Sequence, residues 1–290
     1  MGDLTDTIKA ALTAARVPFW FPDLTDRLVD MGWQTLHRHT GITMLDYGTA
    51  RVLASDARAP RHEMACLSFH PGADGVTPHV LAECLVGDAA RRYQEVGLTF
   101  YTPDEIVNTL VLNCLQEAIA ILAFLPTLHH TVAQLVRVCH LIKPADDDYD
   151  VSYSDPQVPF SIFVSVPHRR RANDALRVAE SLVHEAMHLQ LTLIEQAAPL
   201  VHSSDESYFS PWKGVHRSPQ GVLHALYVFR VIDQCLARLL ALPGWPLSGA
   251  DYMRYRRHEI ASQLREVAVF KDSSALTVLG THFVRRLIDE

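Results

Sequence analysis

Cysteine is scarce in this chain, and long apolar runs and basic runs are missing from it. The five cysteines are scattered without a Cys-x-x-Cys pair, so the sequence predicts neither a disulfide framework nor a zinc ribbon. No stretch reaches the roughly 18 apolar residues of a membrane span, and no Lys/Arg-rich run is interleaved with aromatic residues. Together with a net charge of -7, these absences disfavour a membrane or a nucleic acid as a partner.

The composition is otherwise that of an ordinary globular protein, with 48% hydrophobic and 20% charged residues. The N-terminal stretch MGDLTDTIKAALTAARVPFW carries acids early and has no uninterrupted apolar region, unlike a secretory signal. We therefore expect a cytoplasmic protein with reduced, mostly buried thiols.

Apolar residues spaced three and four apart predict helices over most of the chain. The predicted helices cover residues 3–16, 25–38, 102–124, 126–142, 173–198, 221–242, 251–270 and 274–288. The segment VPFSIFVSVP, residues 158–167, is rich in β-branched and aromatic residues and predicts a strand, while 199–219 predicts a polar loop. Earlier in the chain, within residues 41–102, ARVLASD and ACLSFHPGADG are candidates for short strands and a turn.

These elements predict a mainly α fold with a few short strands, of the α+β class. We expect a zincin-like helix with a His-Glu-x-x-His motif to pack near a strand, and we expect the C-terminal half to be helical. We expect a single catalytic domain over residues 1–290. Residues 1–100 could form an N-terminal helical lobe, with 101–290 as the metal-binding core.

The segment SLVHEAMHLQ contains a His-Glu-x-x-His motif inside a predicted helix. Residues four apart share a helical face, so His184 and His188 can direct their imidazoles at a single ion. Glu185 lies about 100° round the helix from His184, where a zinc peptidase keeps its general base. Sixteen histidines, about twice the usual number, also favour a metal role. The alternative is two helix histidines that are hydrogen-bonded to the backbone.

A working site needs a third protein ligand. The Gly and His of a metzincin motif are absent after His188, and Glu195 lies about 10 Å further along the helix, too far for the same ion. Glu206, in a Ser-rich loop, and His224, in GVLHALYVF, remain. We favour His224 because an imidazole in an apolar helix needs a partner, which a metal supplies. The alternative is a core histidine satisfied by another group.

The ligand set determines the chemistry. Two His and a Glu, with Glu185 as base, would give zinc hydrolysis, whereas three neutral imidazoles with three open positions suit Fe(II). An iron site could take a bidentate 2-oxo acid, whose distal carboxylate needs a cation, ideally a guanidinium. Arg217, seven residues before His224, is the first candidate. The weaker candidates are Arg230, Arg285 and Arg286.

Three segments resemble the HExxH-motif domain family that is associated with peptide-modifying gene clusters. They are FSIFVSVP, ESLVHEAMHLQL and SYFSPWKGVHRSPQGVLHALYVF, in that order between residues 150 and 240. Members of that family are described as iron- and 2-oxoglutarate-dependent peptide β-hydroxylases. The resemblance implies that His184, His188 and His224 bind iron, that Arg217 anchors the co-substrate and that Trp212 shapes the pocket wall.

We therefore expect an Fe(II)- and 2-oxoglutarate-dependent hydroxylase. It would hydroxylate an unactivated carbon, the β-carbon, of a peptide or amino acid. A leader peptide or a carrier protein could present this substrate. The expected context is natural-product biosynthesis. Glu185 would be a catalytic residue or would only orient the ligands. The alternatives are a zinc peptidase of the gluzincin type and a catalytically silent peptide-binding protein.

Overall fold

The computed structural model describes residues 4–15, 17–54, 58–59, 63–69, 79–106, 109–145, 150–243, 245 and 249–290. The chain forms two compact units. The helical unit comprises Met1–Leu28 and Gln190–Glu290, and the sheet unit comprises Val29–Leu189. The prediction of a single catalytic domain, with residues 1–100 as a possible N-terminal lobe, stays a prediction.

Helices dominate both units, and the mainly α, α+β fold class is confirmed. The α-helices are α1 (Leu4–Thr13), α2 (Pro22–Thr40), α3 (Thr49–Ala54), α4 (Gly87–Gln94), α5 (Pro103–Ile106), α6 (Thr109–Leu122), α7 (Pro126–Leu135), α8 (Asp174–Ala197), α9 (Pro219–Leu240), α10 (Ala250–Glu266) and α11 (Val278–Asp289). The strands are β1 (Glu63–Ser68), β2 (His79–Glu83), β3 (Val138–Ile142), β4 (Ser152–Ser154), β5 (Ser161–Ser165), β6 (Tyr208–Ser210) and β7 (Val215–Arg217).

The sheet unit is built on five strands in the order β1-β2-β3-β5-β4. Its centre is parallel, since β3 pairs with both β2 and β5 in that sense, whereas β1 and β4 run antiparallel to their neighbours. Every residue of β3 and β5 is buried. Burial on both faces explains why VCHLI and SIFVS are nearly continuous apolar runs rather than alternating ones.

Three local predictions differ from the structure. The helix predicted over residues 126–142 ends at Leu135, and Val138–Ile142 forms the central strand β3. The segment ARVLA lies in helix α3 rather than in a strand. The predicted polar loop contains the hairpin of β6 and β7. By contrast, β1 confirms a strand in ACLS, and the turn predicted after it, around residues 70–75, lies outside the described residues.

The helical unit is organised around α9, which packs against α10 and α11. Its Tyr227 hydroxyl donates to the backbone oxygen of Phe19 at 2.9 Å, and Gln190 donates to the backbone oxygen of Trp20 at 2.9 Å. Both side chains are buried, so these hydrogen bonds tie α9 and the end of α8 to the segment before α2. Among the described residues, no helix is long and apolar enough to cross a membrane.

A buried polar network joins three strands of the sheet unit. His140, on β3, donates from Nδ1 to the backbone oxygen of Glu83 at 2.8 Å and accepts at Nε2 from the Thr49 hydroxyl at 2.7 Å. The Ser161 hydroxyl lies 3.0 Å from that of Thr49, whose backbone N–H donates to the Glu83 carboxylate at 3.0 Å. Burial lowers the pKa of His140 from 6.5 to about 4, although its hydrogen bond to Glu83 acts in the opposite direction.

The network predicts a loss of stability in acid. Because the pKa of His140 is depressed in the folded protein, its contribution is present above pH 6.5 and is lost as the pH falls towards 4. We expect this residue to remove about 2.5 kcal/mol of unfolding free energy between pH 7.5 and 4.5. Urea titrations at both pH values check this, with His140→Gln as the comparison. An equal pH dependence in the two proteins would contradict it.

Candidate functional site

Helix α8 carries the His-Glu-x-x-His motif, and it begins at Asp174 as the sequence predicts. The Asp174 carboxylate accepts the backbone N–H of Arg171 at 2.7 Å, which fixes the chain just before the first turn. Asn173 has a left-handed φ of 70°, a conformation that Asn tolerates better than most residues. Buried Val183 and Met187 then hold one face of the helix in the core and leave the histidine face towards solvent.

The two motif histidines converge. The Nε2 atoms of His184 and His188 lie 3.2 Å apart, and the ring centroids are 4.9 Å apart. An ion about 2.0–2.1 Å from each of two nitrogens, with tetrahedral or octahedral angles, places those nitrogens roughly 2.8–3.4 Å apart. The observed separation lies within this range, and it is also that of a hydrogen bond between the two rings.

Glu185 is buried beside this pair. Its side chain is 3% exposed, and its Oε1 lies 3.8 Å from Nε2 of His184. That separation is longer than a hydrogen bond but short enough for a strong electrostatic effect on an ion bound there. The position suits either a base acting on an ion-bound water or a group that orients the ligands.

His224 lies on α9 in the helical unit and is paired with a carboxylate. Its Nε2 is 2.8 Å from Oε2 of Glu195, and both side chains are mostly buried. The helix begins with Pro219 after the cap Ser218, whose hydroxyl accepts the N–H of Gly221. The partner that an apolar helix requires for His224 is thus supplied by Glu195 in this unit.

The third ligand stays a prediction. Among the residues that the structure describes, no group of three or more His, Cys, Asp and Glu side chains could hold a metal ion. Glu206, the other candidate, accepts hydrogen bonds from Tyr208 at 2.6 Å and from Ser274. The hydrogen bond from Ser274 lowers the pKa of Glu206 most, and the one from Tyr208 lowers it further. The bond to Ser274 also ties the loop of Glu206 to the segment before α11. This carboxylate already has a structural task.

Arg217 has the features of an anion anchor. It is exposed at the end of β7, directly before the cap of α9, and its guanidinium lies over Gly221. No ion pair or side-chain hydrogen bond to it occurs among the described residues. Its charge is thus available to a carboxylate in solution.

Arg230 and Trp212 have partners in the helical unit. Arg230 is mostly buried, pairs with Asp233 at 3.0 Å and lies over the ring of Phe19. Trp212 stacks on Phe229 with the ring planes 5° apart. Stacking gives Trp212 a fixed orientation, as a pocket wall would require, whereas the charge of Arg230 is already compensated by Asp233.

The C-terminal arginines have other roles. Arg286 is buried and donates to the backbone oxygens of Ala11 at 3.0 Å and Val17 at 2.6 Å. It therefore caps the end of α1, where backbone carbonyls lack helical partners. Arg285 is exposed and pairs with Asp272 at 3.6 Å.

Glu195 is the residue whose role the sequence did not indicate. Its carboxylate also accepts from Gln220 at 3.2 Å, so two residues of α9 converge on it. The partners are 25 and 29 positions away, and no local spacing signals such a pairing. The sequence shows only that Glu195 lies on the helix with the motif and that His224 lies on a later helix, which does not predict their contact.

Comparison with known proteins adds no further constraint, since no protein-family model matches the sequence and no curated protein matches it significantly. The resemblance to the HExxH-motif domain family thus stays a prediction.

Proposed function

We propose that this chain is an Fe(II)- and 2-oxoglutarate-dependent hydroxylase acting on a peptide or amino acid. The observation that carries the proposal is the pair of imidazole nitrogens 3.2 Å apart on one face of α8. Two neutral imidazoles are ligands that suit Fe(II), and the separation of their nitrogens is within the range for two ligands of one ion. The ordered resemblance to the HExxH-motif domain family supports iron over zinc.

His184 and His188 would be two of the ligands, and the resemblance to the HExxH-motif domain family implies that His224 is the third. Metal-bound histidines commonly use their second ring nitrogen to hydrogen-bond a carboxylate, and His224 has such a bond to Glu195. Coordination through Nδ1 would leave that hydrogen bond intact. The histidine set, rather than a Glu ligand, is what favours an oxygenase over a hydrolase.

The remaining residues bind and orient. Iron with 2-oxoglutarate supplies the oxidative power for hydroxylating an unactivated C–H bond. Arg217 would bind the distal carboxylate of the co-substrate, and Trp212 would limit the space for the substrate and exclude water. Glu185 would hold the orientation of His184. The substrate would be presented alone, on a leader peptide or on a carrier protein.

One observation favours a second function, a zinc peptidase. Glu185 is buried with its carboxylate 3.8 Å from Nε2 of His184, which is where a general base would act on zinc-bound water. In a zinc peptidase, the two imidazoles and one further ligand would hold the zinc, and Glu185 would be the general base.

Anaerobic addition of Fe(II) and then 2-oxoglutarate separates these functions. The hydroxylase should develop a weak visible charge-transfer band that requires both additions. A peptidase should show no such band and should cleave a peptide library when loaded with Zn. A protein that does neither, yet binds peptides, would be the catalytically silent alternative.

Replacing Arg217 with Ala should weaken 2-oxoglutarate binding by about 1–3 kcal/mol, the scale of one charge-assisted hydrogen bond. Iron affinity should stay unchanged. Titration of the visible band with the co-substrate measures the effect. Arg254→Ala is the matched control, since Arg254 is also exposed and already pairs with Asp251 at 2.9 Å. An unchanged co-substrate affinity in Arg217→Ala would move the anchor to Arg230 or to the C-terminal pair, Arg285 and Arg286.

A further inference from the structure

A cavity of about 430 Å³ lies within the helical unit, beside the first turn of α9. Its volume falls in the range of small-molecule sites, roughly 300–1,000 Å³. One side is formed by the chain that follows α8 and the other by the start of α9. The lining residues are Glu195, Pro199, Leu200, Val201, His202, Ser203, Ser204, Ser218, Pro219 and Gln220.

The wall after α8 is held by three hydrogen bonds to backbone oxygens. The backbone N–H of Thr277 donates to Leu200 at 3.0 Å, its hydroxyl donates to the backbone oxygen of Pro199 at 3.0 Å, and the N–H of His202 donates to Ala275 at 2.7 Å. These three bonds fix the segment to the start of α11. The cavity is therefore preformed, which lowers the entropic cost of binding a ligand.

Glu195 gives the cavity its charge. His224 and Gln220 both hydrogen-bond its Oε2, while Oε1 receives no hydrogen bond from any residue that the structure describes. The side chain is 13% exposed. A carboxylate accepts about four hydrogen bonds, so Oε1 can accept donors from a ligand in the cavity. A mostly buried carboxylate binds a cationic donor more strongly than an exposed one, because solvent screens it less.

The rest of the lining favours one class of ligand. No Lys or Arg is among the lining residues, so the cavity has no fixed positive charge, and Arg217 lies over Gly221 outside this set. The walls combine Val201 and two prolines with three serines, whereas Leu200 is fully buried. We propose that this cavity binds a primary ammonium group attached to a short apolar group, with Oε1 of Glu195 as its acceptor. The two sources of that chemistry are the N-terminus of a peptide or amino acid and a lysine side chain.

Calorimetric titration of the full chain at pH 7 in the presence of a chelator tests this proposal without any metal. The probes are leucine amide, which has an α-ammonium group, and Nα-acetyl-lysine amide, which has a side-chain ammonium group. N-acetyl-leucine amide, without an ammonium group, is the control. We expect at least one of the two amines to bind about tenfold or more tightly than the acetylated control, as expected for a charge-assisted hydrogen bond. The tighter of the two amines identifies the source.

The variant Glu195→Gln keeps the shape of the side chain and removes its charge. It should lose about tenfold or more in affinity for the preferred amine, whereas Glu266→Gln, an exposed acid of α10, should bind as the unaltered protein does. The probe comparison needs no variant, so a folding defect in Glu195→Gln would not remove the test. Equal binding of the amines and the acetylated control, no binding of either amine, tighter binding of the carboxylate N-acetyl-leucine, or full amine affinity in a folded Glu195→Gln protein would each overturn the proposal. None of these outcomes bears on the iron-dependent function, because no metal is present.

Discussion

Alanine in place of Gly280 should destabilise the protein by about 3 kcal/mol or more, although Gly280 lies in a helix where alanine has the higher propensity. A Cβ atom at this position would lie 2.0 Å from the backbone oxygen of Leu200. That oxygen already accepts from the N–H of Thr277, and the N–H of Gly280 donates to the Thr277 hydroxyl at 3.0 Å. The clash is with fixed backbone, so the two segments have to separate.

The sign of the effect distinguishes this contact from helix propensity. Propensity alone predicts that Gly→Ala stabilises a helix by roughly 0.5–1 kcal/mol. Gly221→Ala in α9 is the matched control, since its added Cβ would meet side chains rather than backbone, that of Arg217 at 3.2 Å and that of Ser218 at 3.4 Å. Urea unfolding of both variants gives the comparison. A stability gain in Gly280→Ala, or equal changes in the two variants, would contradict the close approach.

Alanine in place of His184 should reduce the affinity for Fe(II) by at least about 100-fold. The loss of a group that only orients a ligand costs 10–100-fold, and the loss of the ligand itself costs more. Because the Nε2 atoms of His184 and His188 face each other at 3.2 Å, His188→Ala should have a similar effect. Anaerobic titration with Fe(II), or with Co(II) as a spectroscopic probe, measures the affinity without any turnover.

A control removes a histidine outside the pair. His258→Ala changes an exposed residue of α10 and should bind the metal as the unaltered protein does. If His184→Ala still binds one equivalent of metal with unchanged affinity, the motif on α8 is not the metal site. If His258→Ala loses as much affinity as His184→Ala, the effect is not specific to the motif.

The sequence predicts α8 and its motif well because the signals there are local. The apolar spacing, the cap at Asp174 and the strand before it all agree with the structure. The prediction fails at Val138–Ile142, where full burial produces a continuous apolar run that does not distinguish a strand from a helix. Membership in the centre of a sheet depends on β2 and β5, which are distant in sequence.

The candidate site divides in the same way. Helical spacing alone places His184 and His188 on one face, and the structure adds the distance between their nitrogens. The pairing of His224 with Glu195 is a tertiary contact, and no periodicity encodes it. The hairpin of β6 and β7 was missed because each strand has three residues and the segment is polar and largely exposed.

Oxygen-isotope labelling tests the central claim most directly. The protein is incubated with Fe(II), 2-oxoglutarate and ¹⁸O₂, and the succinate that forms is analysed by mass spectrometry. The proposed hydroxylase should release CO2 and succinate carrying one ¹⁸O atom, and the His184→Ala variant should form none above background. The absence of labelled succinate from the unaltered protein, together with peptide cleavage by its Zn-loaded form, would contradict the hydroxylase and support the zinc peptidase.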